Sequence, residues 1–225
     1  MQDYLILKLE GVLQSWGTHT YEDYRPSNMF PTLSGILGLL AACLGIERKD
    51  WERLQALDHS IELAVRVDHV MLGARRLAPV KITDFHTVMD ARKVDGKVNK
   101  YPVVSRREYL CDAKFTLAIR ATAHPFITLD ELEAAVKKPY YTPFLGRRAC
   151  PLTRPLWEMR VQADAFETAL EQVEPRQGGV IYGDWIDARP RRLERDVPVR
   201  DSKRQFATRH VRIKTQGEEA AHVSQ

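Results

Sequence analysis

Apolar positions in this chain fall into short extended runs and one helix-length block. Tyr4-Leu5-Ile6-Leu7-Lys8-Leu9 is too short a run for a helix and ends at Gly11, so it reads as a strand. A polar stretch with turn formers and aromatics follows, from Gln14-Ser15-Trp16-Gly17 to Arg25-Pro26. After Pro31, the block from Thr32 to Leu44 is apolar nearly all round and stops at Gly45. Such a block predicts a helix buried on most sides. Thr32 or Ser34 serves as its N-cap, since either side chain can accept hydrogen bonds from the first unpaired amides. Gly45 suits the left-handed residue just beyond a helix end. Gly35 and Gly38 each cost roughly 1 kcal/mol against Ala in a helix interior. Close approach of a strand or a ligand is the expected compensation. The helix start therefore has two readings: a capped, tightly packed core helix, or a phosphate seat on unpaired amides beside Arg25.

Further along, Asp50 caps a short helix from Trp51 to Leu57. From Ser60 to Val67, Ile61, Leu63, Val65 and Val67 alternate with Glu62, Ala64 and Arg66, the period of a half-buried strand. Arg75 to Cys111 is different: it is rich in Lys and Arg and poor in large aliphatics. Asp95-Gly96, within Val94–Lys97, is a two-residue hairpin signal. The segment is either a basic hairpin projecting from the core or a surface loop. Ala113 to Ile119 reads as a strand. Thr128 and Glu131 have capping-box spacing and open a helix, Leu129 to Lys138, that Pro139 ends. Asp164 caps a helix from Ala165 to Val173. Val180–Tyr182, Val197–Arg200 and Ala207–Ile213 read as strands, and a polar tail begins at Gly217. The order strand, helix, strand, hairpin, strand, helix, strand is that of a split βαβ, or ferredoxin-like, unit. An α+β fold of this kind carries two helices on one sheet face and leaves the other available, as RNA-recognition modules do.

Composition narrows the function classes. The 225 residues, 44% hydrophobic, suffice for one sizeable core. No run approaches the ~20 apolar residues of a membrane span. The N-terminus feeds straight into a strand, so no signal peptide and a cytoplasmic location are expected. Cys43, Cys111 and Cys150 lack paired spacing, and the seven histidines are scattered, so neither a disulfide framework nor a metal site is expected.

The net charge of +4 is modest, but its distribution is uneven. Arg147, Arg148 and Arg154 lie in a stretch without carboxylates from Tyr140 to Leu156. Arg189, Arg191, Arg192, Arg195, Arg200, Lys203, Arg204, Arg209, Arg212 and Lys214 face Glu194, Asp196 and Asp201. Clustered arginine favours a polyanionic partner; the plainer reading is a solvated strand face.

Two constellations could carry recognition. In Gly146-Arg147-Arg148, the glycine lets backbone amides approach phosphate and the arginine forks match its oxygens. Tyr140, Tyr141 and Phe144 could stack bases at ~1–3 kcal/mol each, or serve as core aromatics. In Arg106-Arg107-Glu108-Tyr109 a guanidinium could wedge between bases, or simply make an exposed pair with Glu108 worth little. A metal-independent ribonuclease needs only His, Lys or Tyr groups gathered by folding. His86 and Tyr24 are the candidates for that chemistry. No dinucleotide, Walker or nucleophile-elbow motif is present.

Together, Leu7 to Gly17, Arg25-Pro26, Phe30 to Ile46, Arg107 to Asp112 and Tyr141 to Leu152 resemble the family-five CRISPR-associated subunits of type I-E Cascade complexes, in the RAMP superfamily. The resemblance covers essentially the whole chain. It implies a modified RRM-like domain over 1–156, with a projecting β-hairpin thumb at about 75–111, and a β-rich extension over 157–225 on the same core. It also implies a subunit that caps the 5′ handle of the crRNA, packs against the backbone and large Cascade subunits, and meets target DNA only through the complex. RNA contacts are then expected at Arg25, Ser34, Gly35, Arg106, Arg107, Tyr141, Gly146, Arg147, Arg148 and Arg204, with Arg107 as the wedge. No catalysis, cofactor or metal is implied. Because a type I-C branch of the family does cut, a metal-independent endoribonuclease acting on precursor RNA is the alternative.

Overall fold

The computed structural model describes residues 1–18, 20, 23–72, 75–77, 79–93, 95–175, 179–199 and 205–216. In chain order the first elements are β1 (Gln2–Glu10), β2 (Leu13–Gln14), β3 (Trp16–Gly17), β4 (Tyr24–Arg25), β5 (Ser27–Asn28), α1 (Leu33–Cys43), α2 (Trp51–Ser60) and β6 (Ile61–Asp68). Then come β7 (Val70–Leu72), β8 (Arg75–Leu77), β9 (Val80–Val88), β10 (Val103–Cys111), β11 (Lys114–Ala121) and α3 (Leu129–Lys137). The last are β12 (Trp157–Ala163), α4 (Phe166–Glu171), β13 (Gly179–Gly183), β14 (Pro190–Val199) and β15 (Gln205–Gln216). This is the expected mixture of helix and sheet. One seven-stranded sheet runs β12-β1-β11-β6-β13-β15-β14, antiparallel throughout.

Alternation along β1 splits the core between the two sheet faces. Leu5, Leu7 and Leu9, with Phe115, Leu117 and Ile119 of β11, pack under α1 and α3. Tyr4 and Ile6, with Ala64 and Ala118, pack under Phe166, Ala169 and Leu170 of α4. The second face is therefore not the open platform expected from the element order. It also holds a buried ionic group: Lys8 Nζ donates to Thr116 (2.6 Å), to Asp68 (3.3 Å) and to the Glu174 carbonyl, while Arg66 Nε donates to Asp68 at 2.6 Å. Arg66 is fully buried, so β6 is covered on both sides although its sequence alternates. Its polar positions face a network, not water.

α1 follows its sequence closely. Thr32 Oγ1 accepts from Gly35 N at 3.3 Å, and Gly45 takes φ +68° just past the end. At Gly35 a Cβ would lie 2.8 Å from the Trp16 ring, so a close approach does compensate there. Gly38 is exposed and a Cβ would meet nothing within 4 Å, so the same expectation fails at that position. α3 has its capping box, with Thr128 and Glu131 bonded reciprocally. α4 departs from expectation: Ala165 is the N-cap, and Asp164 pairs with the Met1 amine at 3.0 Å instead of capping.

β9 and β10 form a ribbon in nine-residue register, from Val80↔Cys111 to Val88↔Val103. The outer half exposes Phe85, Val88, Val103 and Val104, while Tyr109 and Leu110 are buried at the root. Near the tip, Lys93 N donates to the Lys97 carbonyl at 2.8 Å and Gly96 has φ +82°; Val94 lies outside the described residues. β14 begins at Pro190, well before the expected Val197, and the tail from Gly217 lies outside the described residues.

Candidate nucleic-acid interface

Period-two alternation puts Ser105, Arg107 and Tyr109 of β10 on one face of the ribbon, and Arg106, Glu108 and Leu110 on the other. β4 pairs in parallel with β10, so Arg25 stands opposite Arg107 and Tyr24 opposite Arg106. On β9, His86 and Asp84 stand opposite Ser105 and Arg107. A third guanidinium reaches this root from the loop after α3. Arg147 donates to the carbonyls of Glu108 (Nη1, 2.9 Å) and Arg25 (Nη2, 3.0 Å), and lies 4.6 Å from the centre of the Tyr109 ring. Arg107 Nε donates to Ser105 Oγ at 2.9 Å, and His86 Nε2 sits 3.0 Å from both Tyr109 Oη and Asp84 Oδ2. Arg25, Arg107 and Arg147 thus converge, with Asp84 the acid opposite Arg107 in the ribbon register. Such a surface suits an anion of more than one charge.

Glu108 holds this root together. Its carboxylate accepts from Ser27 N (2.9 Å), Lys81 Nζ (2.9 Å) and Tyr24 Oη, and Lys81 Nζ also donates to the Ser27 carbonyl at 2.7 Å. Burial pushes the carboxyl up, but the bonds from Tyr24, Ser27 and Lys81 hold it below the usual glutamate range. The same bond raises the Tyr24 hydroxyl. Glu108 is thus a buried hub, not the exposed pair its sequence suggested. Tyr24 is committed to Glu108 on one face and His86 to Tyr109 on the other. The two candidates for acid–base cleavage are therefore not brought together.

The remaining expected residues divide. Gly146 takes φ +84°, and a Cβ there would collide with the Ser15 carbonyl oxygen. Its glycine is required by close contact with its own chain, where Ser15 N donates to the Leu145 carbonyl at 3.1 Å. Arg148 is exposed beside Arg147. The helix start near Ser34 and Gly35 is already occupied: Leu33 N donates to Asp196 Oδ2 at 2.7 Å, and Gly35 N is taken by Thr32. An in-chain carboxylate fills the seat expected for phosphate. Tyr141 N donates to the Ala42 carbonyl at 3.1 Å, which places it at the far end of α1, about 12 Å along the helix from Ser34. Arg106 points to the opposite ribbon face, 5.4 Å from the Phe85 ring centre. Arg204 lies outside the described residues.

Several of the described C-terminal arginines serve the fold. Arg209 pairs with Asp184 and with Asp196 (2.7 Å), Arg192 with Glu194, and Arg212 donates to the Ala188 carbonyl at 3.1 Å. Arg154 pairs with Glu10 at 3.4 Å and with Glu158. Sequence reading missed Lys81 as the cation partner of Glu108, and Asp84 and His86 as neighbours of Arg107. The period-two pattern of β10 is the signal that sorts Arg107 from Arg106. Among the described residues no group of three His, Cys, Asp or Glu could hold a metal ion, and no helix is long and apolar enough to cross a membrane.

The family model described as CRISPR-associated protein (Cas_Cas5) matches residues 4–212. The CRISPR system Cascade subunit CasD of Escherichia coli (strain K12) is 46% identical over 211 residues, covering 93% of this chain and 94% of that protein. A chain of a solved CRISPR RNA-guided surveillance complex superposes with a TM-score of 0.71 at 29% identity, over 95% of this chain and 90% of its own. A second solved structure, a crystal structure of a Cas protein, gives a TM-score of 0.63 at 27% identity and 94% coverage of both chains.

Proposed function

The chain belongs to the CRISPR-associated Cas5 family, and from that premise we propose that it is the crRNA-binding subunit of a type I-E Cascade surveillance complex in antiviral defence. The observation that carries the RNA role is the meeting of Arg25, Arg107 and Arg147 at the ribbon root. Those arginines grip the 5′ handle of the crRNA, with Arg148 at the margin. Arg107 contacts the RNA from the ribbon as a wedge.

The β12-β1-β11-β6 order supports reading the core as a ferredoxin-like, RAMP-type unit, with the β9–β10 ribbon as its thumb. Of the segment from 157 onward, β12 completes that core unit, and β13, β14 and β15 are read as the extension, which adds strands to the same sheet and places Asp196 at the start of α1. The exposed apolar outer ribbon meets the backbone and large subunits, and target DNA is reached only through the assembled, cytoplasmic complex. The subunit binds and positions RNA and breaks no bond.

The test is purification of the assembled complex through a tag on this chain, followed by footprinting of its RNA. Protection of the 5′ handle that weakens with Arg25→Ala/Arg107→Ala supports the assignment. Unchanged protection in that variant overturns it. Incubating the purified chain with repeat RNA in chelator tests the nuclease alternative, and intact RNA is the expected result.

A further inference from the structure

We infer that Glu108 is the positioning residue of this interface: through β4, its side chain sets where Arg25 stands relative to Arg107. The inference rests on the RNA-binding reading above and names what makes that site rigid.

β4 is two residues long and pairs with β10 over Tyr24 and Arg25 alone. So short a bridge does not hold its own register, and placing two arginines opposite each other adds like-charge repulsion. Glu108 supplies the missing restraint. Its carboxylate binds Tyr24 Oη on one side of Arg25 and Ser27 N on the other, bracketing the arginine in sequence. Lys81 ties the same carboxylate to β9, so three strands meet at one side chain. The backbone carbonyl of Glu108 also accepts from Arg147 Nη1 at 2.9 Å and from Ser15 Oγ at 3.0 Å, which anchors the third guanidinium. The side chain points away from the face that bears Arg25 and Arg107, so its effect on RNA is exerted through those residues.

A glutamine does not restore the restraint in full. Its NH2 can donate to the Tyr24 hydroxyl and its oxygen can accept from Ser27 N, but without the negative charge the ion pair with Lys81 and the charge-assisted bonds from Tyr24 and Ser27 are lost. β4 then loosens and Arg25 loses its fixed place.

The test is a double-mutant cycle on binding of a synthetic 5′-handle RNA to the full chain, with Arg25→Ala and Glu108→Gln singly and together. Each single change is expected to weaken binding about tenfold. In the Glu108→Gln background, Arg25→Ala is then expected to cost less than about twofold, because the arginine is already displaced. Unchanged affinity in Glu108→Gln, or a full additive loss in the double variant, overturns the positioning role. If Arg25→Ala alone leaves affinity unchanged, the RNA interface itself fails and the inference falls with it. Tyr24→Phe removes one of the three bonds with little threat to folding, and supplies the same cycle where Glu108→Gln does not fold. An additive Tyr24→Phe/Arg25→Ala pair overturns the role equally.

Discussion

The carboxylate of Asp196 accepts a 2.7 Å hydrogen bond from the Leu33 backbone amide, so an anion from the chain's own C-terminal ribbon occupies the positive end of α1. The same carboxylate pairs with Arg209, which also reaches Asp184. The helix start that looked like a phosphate seat is thus an internal junction between α1 and β14. Asp196→Asn removes the charge from a buried network and is expected to cost ~3 kcal/mol of stability. Chemical denaturation reads the loss, and handle-RNA affinity is expected to stay unchanged. A large loss of RNA affinity in a still-folded Asp196→Asn protein would place the RNA at α1 after all.

Adjacent arginines are expected to behave differently. Arg147 satisfies the carbonyls of Glu108 and Arg25, so Arg147→Ala is expected to cost ~2 kcal/mol and to weaken RNA binding. Arg148 is exposed, so Arg148→Ala is expected to leave stability within ~0.5 kcal/mol. Thermal denaturation of the two variants separates them. Equal melting temperatures contradict the assignment.

The two helix glycines give a second contrast. Gly38→Ala is expected to stabilise the chain by ~1 kcal/mol, since the added methyl meets nothing and helix propensity improves. Gly35→Ala pushes a methyl to 2.8 Å from the Trp16 ring and is expected to destabilise by ~1–3 kcal/mol. Denaturant midpoints with opposite signs are the expected result.

Acid should act through Glu108. Its carboxyl is held below the ordinary 4.5, so the stabilisation it provides is present above that value and is lost as pH falls through the lower folded value. Stability measured across this acid range is expected to fall more steeply in the wild type than in Glu108→Gln. Parallel curves contradict the hub.

Local signals were legible where a single side chain or turn decides them. Thr32, Gly45 and the Thr128–Glu131 box did what their types and spacing dictate. Relations set by tertiary packing were not legible. The second sheet face is covered by α4, a helix of only six residues, and β6 hides Arg66 beneath it. Arg209 reads as part of a polyanion face because its acid partners, Asp184 and Asp196, are distant in sequence and meet it only in the folded sheet, where β14 pairs with β15. At the interface, residue types pointed to Arg25, Arg107 and Arg147, but the parallel bridge of β4 to β10 is what sets Arg25 beside Arg107, and bonds to the Glu108 and Arg25 carbonyls are what bring in Arg147. Glu108 was overlooked because a carboxylate among arginines reads as an ordinary ion pair.

The central claim is that arginines at the ribbon root hold the phosphates of a single-stranded RNA end. The direct measurement is the salt dependence of 5′-handle RNA binding by the wild type and by Arg25→Ala/Arg107→Ala. Two lost phosphate contacts predict that the slope of log affinity against log salt becomes shallower by about 1.4, together with weaker binding. An identical slope and affinity in the variant would contradict the account.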